Sequence, residues 1–83
     1  MADRALPLRT LRKILKSFGV SEDKARGSGS HTFFFKKFDD GEFGYPIPTH
    51  DKDIAKPYVK GARRKFRLTE ADGTSDEKFY GAA

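Results

Sequence analysis

The sequence predicts an α+β fold in which two helices cover one face of a small antiparallel sheet of about three strands. Three observations lead to this prediction. Two apolar stripes have helical spacing, an aromatic-rich segment between them is followed by a turn signal, and 83 residues suit one small domain. Because the chain contains no cysteine, neither a disulfide framework nor a thiolate metal site is expected.

The first predicted helix spans about residues 7–18. Pro7 suits a first helical turn, since its missing N–H leaves no hydrogen bond unmade there. Gly19 is typical of a helix C-terminal cap. The segment 20–26 is polar and is interpreted as a loop or a short edge strand, and residues 1–5 are expected to be frayed. The apolar stripe of this helix consists of Leu8, Leu11, Ile14, Leu15 and Phe18.

A β-hairpin is predicted over residues 31–48. Its first strand, 31–38, is rich in aromatic residues, as strands often are. The turn signal Asp39-Asp40-Gly41 follows. Apolar residues then alternate along a second strand, where two prolines indicate a position at the sheet edge.

Alternation along the first strand separates its aromatic residues into two sets. Phe33 and Phe35 share one face, and His31 falls on that same face by parity. Phe34 points to the opposite face. It is either a stacking platform for a base or, as we favour, a residue covered by a helix or a partner.

The second predicted helix spans residues 54–67, with Asp53 as its N-cap and Pro57 in its first turn. One face carries an apolar stripe that begins at Ile54, and the opposite face is basic. After Leu68 the chain becomes acidic and glycine-rich. Residues 1–68 are therefore interpreted as the domain, and residues 69–83 as an acidic, mostly disordered tail.

Charge is unevenly distributed between these two parts. Residues 1–68 hold 16 basic and 8 acidic side chains, a net charge of +8, whereas residues 69–83 hold one lysine against four acidic side chains, a net charge of −3. A basic body favours a polyanionic partner, although a net charge of this size is also ordinary for a small domain. No apolar run reaches about 18 residues, and no signal-peptide core is found, so a cytoplasmic protein without a membrane partner is expected.

Two short motifs resemble those of a known family. The segment 27–31, Gly-Ser-Gly-Ser-His, is similar to the Gly-Ser-His motif at the start of the central strand in HicA-type toxins. The segment 46–50, Pro-Ile-Pro-Thr-His, resembles their strand-end Val-Pro-x-His element. A leading amphipathic helix and a closing basic helix occur in the same order, so the resemblance covers about residues 7–68.

The resemblance implies a fold like that of a double-stranded-RNA-binding domain. It further implies a metal-independent endoribonuclease that cleaves mRNA, acts as the toxin of a type II toxin–antitoxin pair and needs no cofactor. The implied partners are RNA (mRNA) and a HicB-like antitoxin protein. His31 matches the family's motif histidine, the residue that those ribonucleases require for activity.

Imidazole suits RNA cleavage that uses the substrate's own 2′-hydroxyl as nucleophile, because it exchanges a proton near neutral pH. His31 is therefore predicted to be the general acid or base. His50 is either the cap of a turn or helix start, which we favour, or a second acid–base group. Ser30 is not expected to be a partner of His31, because adjacent strand residues face opposite sides.

The phosphate-binding residues are predicted from backbone access and charge. Glycine and serine beside His31, including Gly27 and Ser28, let a phosphate approach the backbone and donate hydroxyl hydrogen bonds. The cations of the second helix are dense enough to favour phosphate contact, whereas those of the first helix are interpreted as either counter-charge or only a solvated face. The predicted RNA-binding residues are Gly29, Ser30, Lys56, Lys60, Arg63, Arg64 and Arg67.

Three further points concern metal binding, the alternative functions and the acidic tail. No metal site is predicted, because Asp39-Asp40 and Asp51-x-Asp53 occur where turns and helix caps favour Asp. The alternative functions are a non-catalytic RNA-binding module and a protein-interaction module that uses the sheet edge and Phe34. The acidic tail either folds back on the basic helices and weakens RNA binding, or is an inert solubilising extension.

Overall fold

The computed structural model describes residues 3–27 and 29–83, so Ser28, a predicted hydroxyl donor, lies outside the described residues. The predicted α+β class and the antiparallel three-stranded sheet are confirmed. In chain order the elements are β1 (Leu6–Pro7), α1 (Leu8–Ser17), β2 (Ser21–Asp23), β3 (His31–Phe38), β4 (Gly41–Pro48), β5 (Asp53–Ile54), α2 (Lys56–Lys65), a 3-10 helix (Glu70–Asp72) and α3 (Asp76–Tyr80).

The main sheet has the strand order β2-β3-β4, and both pairings are antiparallel. The predicted turn joins β3 to β4, where Phe38 pairs with Gly41. The polar segment after α1 supplies the short edge strand β2, in which Ser21 pairs with Phe35. The prolines of β4 lie on the other edge, where a missing N–H breaks no ladder hydrogen bond.

The two faces of the sheet differ in burial. Phe34 is only 1% exposed and packs into one core cluster with apolar residues of both helices, as we favoured from the alternation of β3. Phe33 and Phe35 lie on the other face, where their rings stack with centroids 6.4 Å apart. The helix residues in the core cluster are Leu11, Ile14, Leu15, Val59 and Ala62.

The C-terminus of α1 is held by a reverse turn and by the sheet. Gly19 has a φ of +83°, which glycine adopts without strain, and its N–H donates to the Lys16 carbonyl. The Lys36 ammonium reaches from the covered face of β3 and donates to the Phe18 carbonyl at 2.6 Å. A cation at this end of the helix satisfies a free carbonyl and complements the helix dipole.

The predicted N-cap of the second helix is wrong. Asp53 lies in β5 and pairs with Pro7 of β1, and Ala55 occupies the N-cap position without a side-chain hydrogen bond. The reason is that Ile54 pairs with Leu6 of β1 and is buried there, so the chain is extended as far as Ile54 and the helix begins only after it. Pro57 lies in the first turn, as predicted.

The prediction that residues 69–83 are mostly disordered is also wrong. The Asp72 carboxylate accepts hydrogen bonds from the Thr69 N–H and hydroxyl, and the Ser75 hydroxyl accepts from the Lys78 N–H at the start of α3. Phe79 is fully buried and stacks on Phe18 with ring centroids 6.1 Å apart. Local capping and one aromatic anchor thus offset the low apolar content from which disorder was inferred.

Residues 1–5 are expected to be frayed; residues 1 and 2 lie outside the described residues, whereas Asp3 is tied to the C-terminal segment. Its carboxylate accepts a hydrogen bond from the Tyr80 hydroxyl at 2.8 Å. The Arg4 guanidinium lies over the Tyr80 ring, 3.9 Å from its centroid. The two ends of the chain therefore stabilise each other.

We predict that Phe79→Ala lowers the free energy of unfolding by about 3–5 kcal/mol, because it leaves a cavity against Phe18 in the core. Urea unfolding monitored by circular dichroism measures this change. Lys78→Gln, at the exposed neighbouring position, serves as the control and should change stability by less than about 0.5 kcal/mol. Equal stability of the Phe79→Ala and wild-type proteins would contradict the packing of α3 on the core.

Candidate functional site

His31 is the first residue of β3 and is half-buried. Its Nδ1 atom lies 3.0 Å from the Ser30 hydroxyl oxygen, a hydrogen-bond distance. The expectation that Ser30 and His31 would not be partners is therefore wrong. Ser30 precedes the strand in a turn, so strand alternation does not separate the two side chains.

The start of β3 is held from the end of β4. The Thr49 N–H donates to the Ser30 carbonyl at 2.9 Å, and the Thr49 and Thr32 hydroxyls are 2.9 Å apart. His31 itself pairs with Pro48. The two segments that carry the sequence resemblance are thus neighbours in space, and the backbone around His31 is braced on both sides.

The two glycines of the loop before His31 have different environments. A Cβ atom on Gly27 would overlap the His31 carbonyl oxygen, so this position accommodates only glycine. The Gly27 N–H also donates to the Lys24 carbonyl at 3.3 Å, so it is already engaged within the loop. A Cβ on Gly29 would meet nothing within 4 Å, so the Gly29 backbone is open to an approaching group.

His31 lines an open depression of about 390 Å³ beside the N-terminal half of α1. Arg12 and Lys24 bring two cations to it, and Gly29 brings its open backbone. The Arg12 Nε atom is held by the Glu22 carboxylate at 3.0 Å, which links α1 to β2. The other lining residues are Leu8, Thr32 and Thr49.

A second depression, of about 550 Å³, adjoins the first across Leu8 and Arg12. It adds two cations, Arg9 and Lys52, to the surface next to His31. The cations that line these two depressions therefore come from α1 and two loops. The sequence showed the basic face of the first helix but could not show which cluster of cations lies beside His31.

The structure does not bring His50 to the His31 depression. Its side chain is 57% exposed in the connector after β4, and its Nε2 lies 3.3 Å from the Asp51 carboxylate. Thr49, its chain neighbour, lines the depression, whereas His50 does not.

The predicted RNA-binding residues of the second helix separate into three groups. Lys56, Lys60 and Arg64 are exposed on α2. Arg67 follows the helix, donates to the Asp40 carboxylate at 2.6 Å and lies over the Phe38 ring. Arg63 differs from the others because its side chain is buried.

The prediction that Arg63 binds RNA is wrong, because this residue is only 3% exposed. Its guanidinium forms ion pairs with Asp3 at 2.8 Å and with Asp76 at 2.7 Å. It also donates to the carbonyls of Leu68 and Thr74. Arg63 therefore joins the N-terminal segment, α2 and the C-terminal segment inside the fold.

This buried network shifts the pKa values of its members. Hydrogen bonds from Arg63 lower the pKa of Asp76 against the opposing effect of burial. Burial by itself would raise the pKa of Asp3, but hydrogen bonds from Arg63 and Tyr80 lower it overall. Burial would lower the pKa of Arg63, but its carboxylate partners raise it overall. All three groups are consequently charged at neutral pH.

The acidic pairs that the sequence assigned to turns and caps form no cluster with other ligand types. Within residues 3–27 and 29–83, no three His, Cys, Asp or Glu side chains are grouped so that they could hold a metal ion. Asp40 is instead engaged with Arg67, and this contact lowers the pKa of the Asp40 carboxyl.

Comparisons with family models, with curated proteins and with solved structures found no match to this chain. Among the described residues, no helix is both long enough and apolar enough to cross a membrane.

We predict that Arg63→Met lowers the free energy of unfolding by about 3 kcal/mol at pH 7, because it removes the buried guanidinium that pairs with the carboxylates of Asp3 and Asp76. Thermal and urea unfolding measure the loss. Lys60→Met, one helical turn away on the exposed face, is the matched control and should remain near wild-type stability.

The same pair of proteins tests the pKa directions. The pKa values of Asp3 and Asp76 are lowered in the folded protein, so the stabilisation that these two carboxylates provide is complete at neutral pH. It is lost as the pH falls below about 4, the ordinary pKa of an aspartate, and then through the lowered pKa values of the folded state. The stability gap between wild type and Arg63→Met should therefore narrow in acid. A gap independent of pH from 7 to about 2.5 would contradict the ion-pair network.

Proposed function

We propose that this chain is a metal-independent endoribonuclease that cleaves single-stranded mRNA with His31 as general acid or base, and that it is the toxin of a toxin–antitoxin pair. One observation carries the proposal. His31 lines an open depression that is also lined by Arg12, Lys24 and Gly29, whose backbone is open to an approaching group. A proton-transfer group and phosphate-binding groups thus meet at one place on the surface.

The reaction that these groups support is an internal transfer of the phosphate. The ribose 2′-oxygen attacks the adjacent phosphorus, the 2′-proton passes to a base, and the bond to the leaving 5′-oxygen breaks as that oxygen gains a proton. The products are a 2′,3′-cyclic phosphate and a 5′-hydroxyl end. His31 performs one of the two proton transfers, and the hydrogen bond with Ser30 restrains its ring.

Arg12 and Lys24 have a separate role in this proposal. The pentavalent phosphorane carries more negative charge than the substrate phosphate, so fixed cations stabilise it more than the ground state. Arg12 is held in place by Glu22, which reduces the reorganisation needed when this charge develops. Arg9 and Lys52 continue the positive surface for the flanking backbone.

The toxin assignment rests on the resemblance of the two motifs, which is supported by their adjacency in space. His31 of the first motif pairs with Pro48 of the second, and Thr49 of the second hydrogen-bonds to Ser30 of the first. The corresponding partner is a HicB-like antitoxin. The fold of a double-stranded-RNA-binding domain, with helices on one face of a three-stranded sheet, belongs to the same proposal.

The exposed cations of α2 favour one alternative function, a non-catalytic RNA-binding module. Lys56, Lys60 and Arg64 form no ion pair with the described residues, and none of them lines the His31 depression. A module of this kind would bind RNA with salt-sensitive affinity and would leave the RNA intact.

We predict that the purified protein cleaves single-stranded RNA in the presence of EDTA, and that His31→Ala lowers the rate at least about 100-fold. His50→Ala is the matched control and should retain near wild-type activity. Arg12→Gln should lower the rate about tenfold, since it removes one fixed cation from the phosphorane. Product ends are identified by mass spectrometry, and circular dichroism checks that each variant is folded.

Three outcomes decide between the candidates. Full activity of His31→Ala would contradict the proposed mechanism. Salt-sensitive RNA binding without products would identify the non-catalytic module, and the absence of RNA binding at moderate salt would favour a protein-interaction module.

A further inference from the structure

A second cationic groove lies between α2 and the edge strand β4, apart from the His31 depression. It has a volume of about 470 Å³. The groove is lined by two aromatic residues, three cations and one glycine: Phe43, Tyr45, Arg64, Lys65, Arg67 and Gly61. On β4, Tyr45 pairs with Phe34 and Pro48 pairs with His31, so about 10 Å of strand separates the near end of the groove from the start of β3.

The floor of the groove depends on a glycine in the middle of a helix. A Cβ atom on Gly61 would overlap the Tyr45 hydroxyl oxygen, so the missing side chain lets this ring pack against α2. Glycine within a helix costs about 1 kcal/mol relative to alanine, and here it makes room for the tyrosine. Among residues 3–27 and 29–83, no hydrogen bond engages the Tyr45 hydroxyl, and Tyr45 lines the groove.

One rim of the groove is formed by Arg67. This residue has a φ of +57°, because the chain must reverse after α2 to bury Leu68, whose N–H donates to the Arg63 carbonyl at 2.7 Å. Its guanidinium lies over the Phe38 and Phe43 rings, 4.5 and 5.2 Å from their centroids. Asp40 also fixes it, so Arg67 is a positioned cation rather than a mobile one.

The charge of the groove is only partly compensated. Arg67 is neutralised by Asp40, whereas Arg64 and Lys65 are exposed and form no ion pair with the described residues. The groove therefore combines two uncompensated cations, the half-buried ring of Phe43 and one tyrosine hydroxyl. An acidic peptide would engage only the charges, whereas a nucleotide unit presents a phosphate next to a flat base that stacks on aromatic rings.

We propose that the groove between α2 and β4 is a second binding site for single-stranded RNA, in which Arg64 and Lys65 contact phosphate and Phe43 contacts a base. It anchors a part of the RNA remote from His31, so it determines affinity rather than bond cleavage. The inference requires that the chain binds RNA and does not require that the chain cleaves it.

The test measures binding in a His31→Ala background, so that cleavage does not interfere. Fluorescence anisotropy with a labelled oligouridylate of about ten nucleotides gives the Kd. We expect Arg64→Gln/Lys65→Gln to raise the Kd about tenfold and to reduce the salt dependence of binding. Lys13→Gln/Lys16→Gln, which removes the same charge from the exposed face of α1, should raise it less than about twofold.

A second variant separates stacking from charge. Phe43→Leu keeps an apolar side chain but removes the aromatic face, and it should raise the Kd about fivefold. Its melting temperature, compared with that of the parent, shows whether the fold is retained. A variant that does not fold is replaced by Tyr45→Phe, which removes only the hydroxyl donor and should raise the Kd about threefold.

Several results would overturn the inference. An equal loss of affinity in both double variants would mean that binding follows net charge alone. A surface for an acidic protein would be identified if Phe43→Leu bound the labelled RNA with unchanged affinity and polyglutamate displaced that RNA as well as unlabelled RNA does. Displacement of the labelled RNA by AMP, at the same concentration of phosphate groups as unlabelled RNA, would identify a site for free nucleotides. If RNA is bound at this groove but never cleaved, the proposed nuclease function fails while this inference stands.

Discussion

The alternation of side chains along β3 is the constraint on which the rest of this structure depends. Phe34 must be buried, and α1 and α2 cover the face on which it lies. Phe33 and Phe35 are consequently left on the other face, where Arg26 lies over both rings. A shift of the strand by one residue would bury Phe33 and Phe35 and expose Phe34. The burial of Phe34 therefore fixes the register of β3, and with it the position of His31.

The buried guanidinium of Arg63 is the second organising interaction. It holds Asp3, Asp76 and two carbonyl groups, so segments from both ends of the chain converge on α2. A small domain has little core, and the C-terminal segment enlarges it with Phe79. The acidic segment does fold back on a basic helix, but as a part of the fold and not as an inert extension.

The cations of this chain therefore serve distinct purposes. Arg63 is structural, Lys36 binds the carbonyl at the end of α1, and Arg12 lines the same depression as His31. Arg64 and Lys65 line a separate groove with aromatic residues. A positive net charge attracts any polyanion, but only the arrangement of these side chains distinguishes a place for proton transfer from a place that anchors the ligand.

The sequence by itself determined the elements whose signals are local: the amphipathic α1 ended by Gly19, the hairpin around Asp39-Asp40, and the burial of Phe34. These follow from periodicity and turn chemistry, which act between near neighbours. The caps at Thr69 and Ser75 are local as well, but the prediction of disorder rested on composition alone and did not use them. Only the tertiary structure decided the pairing of Leu6 with Ile54, the burial of Arg63, and the placement of Arg12 rather than His50 beside His31. Each of these three features joins residues that are distant in the chain, and such contacts produce no periodic pattern in the sequence.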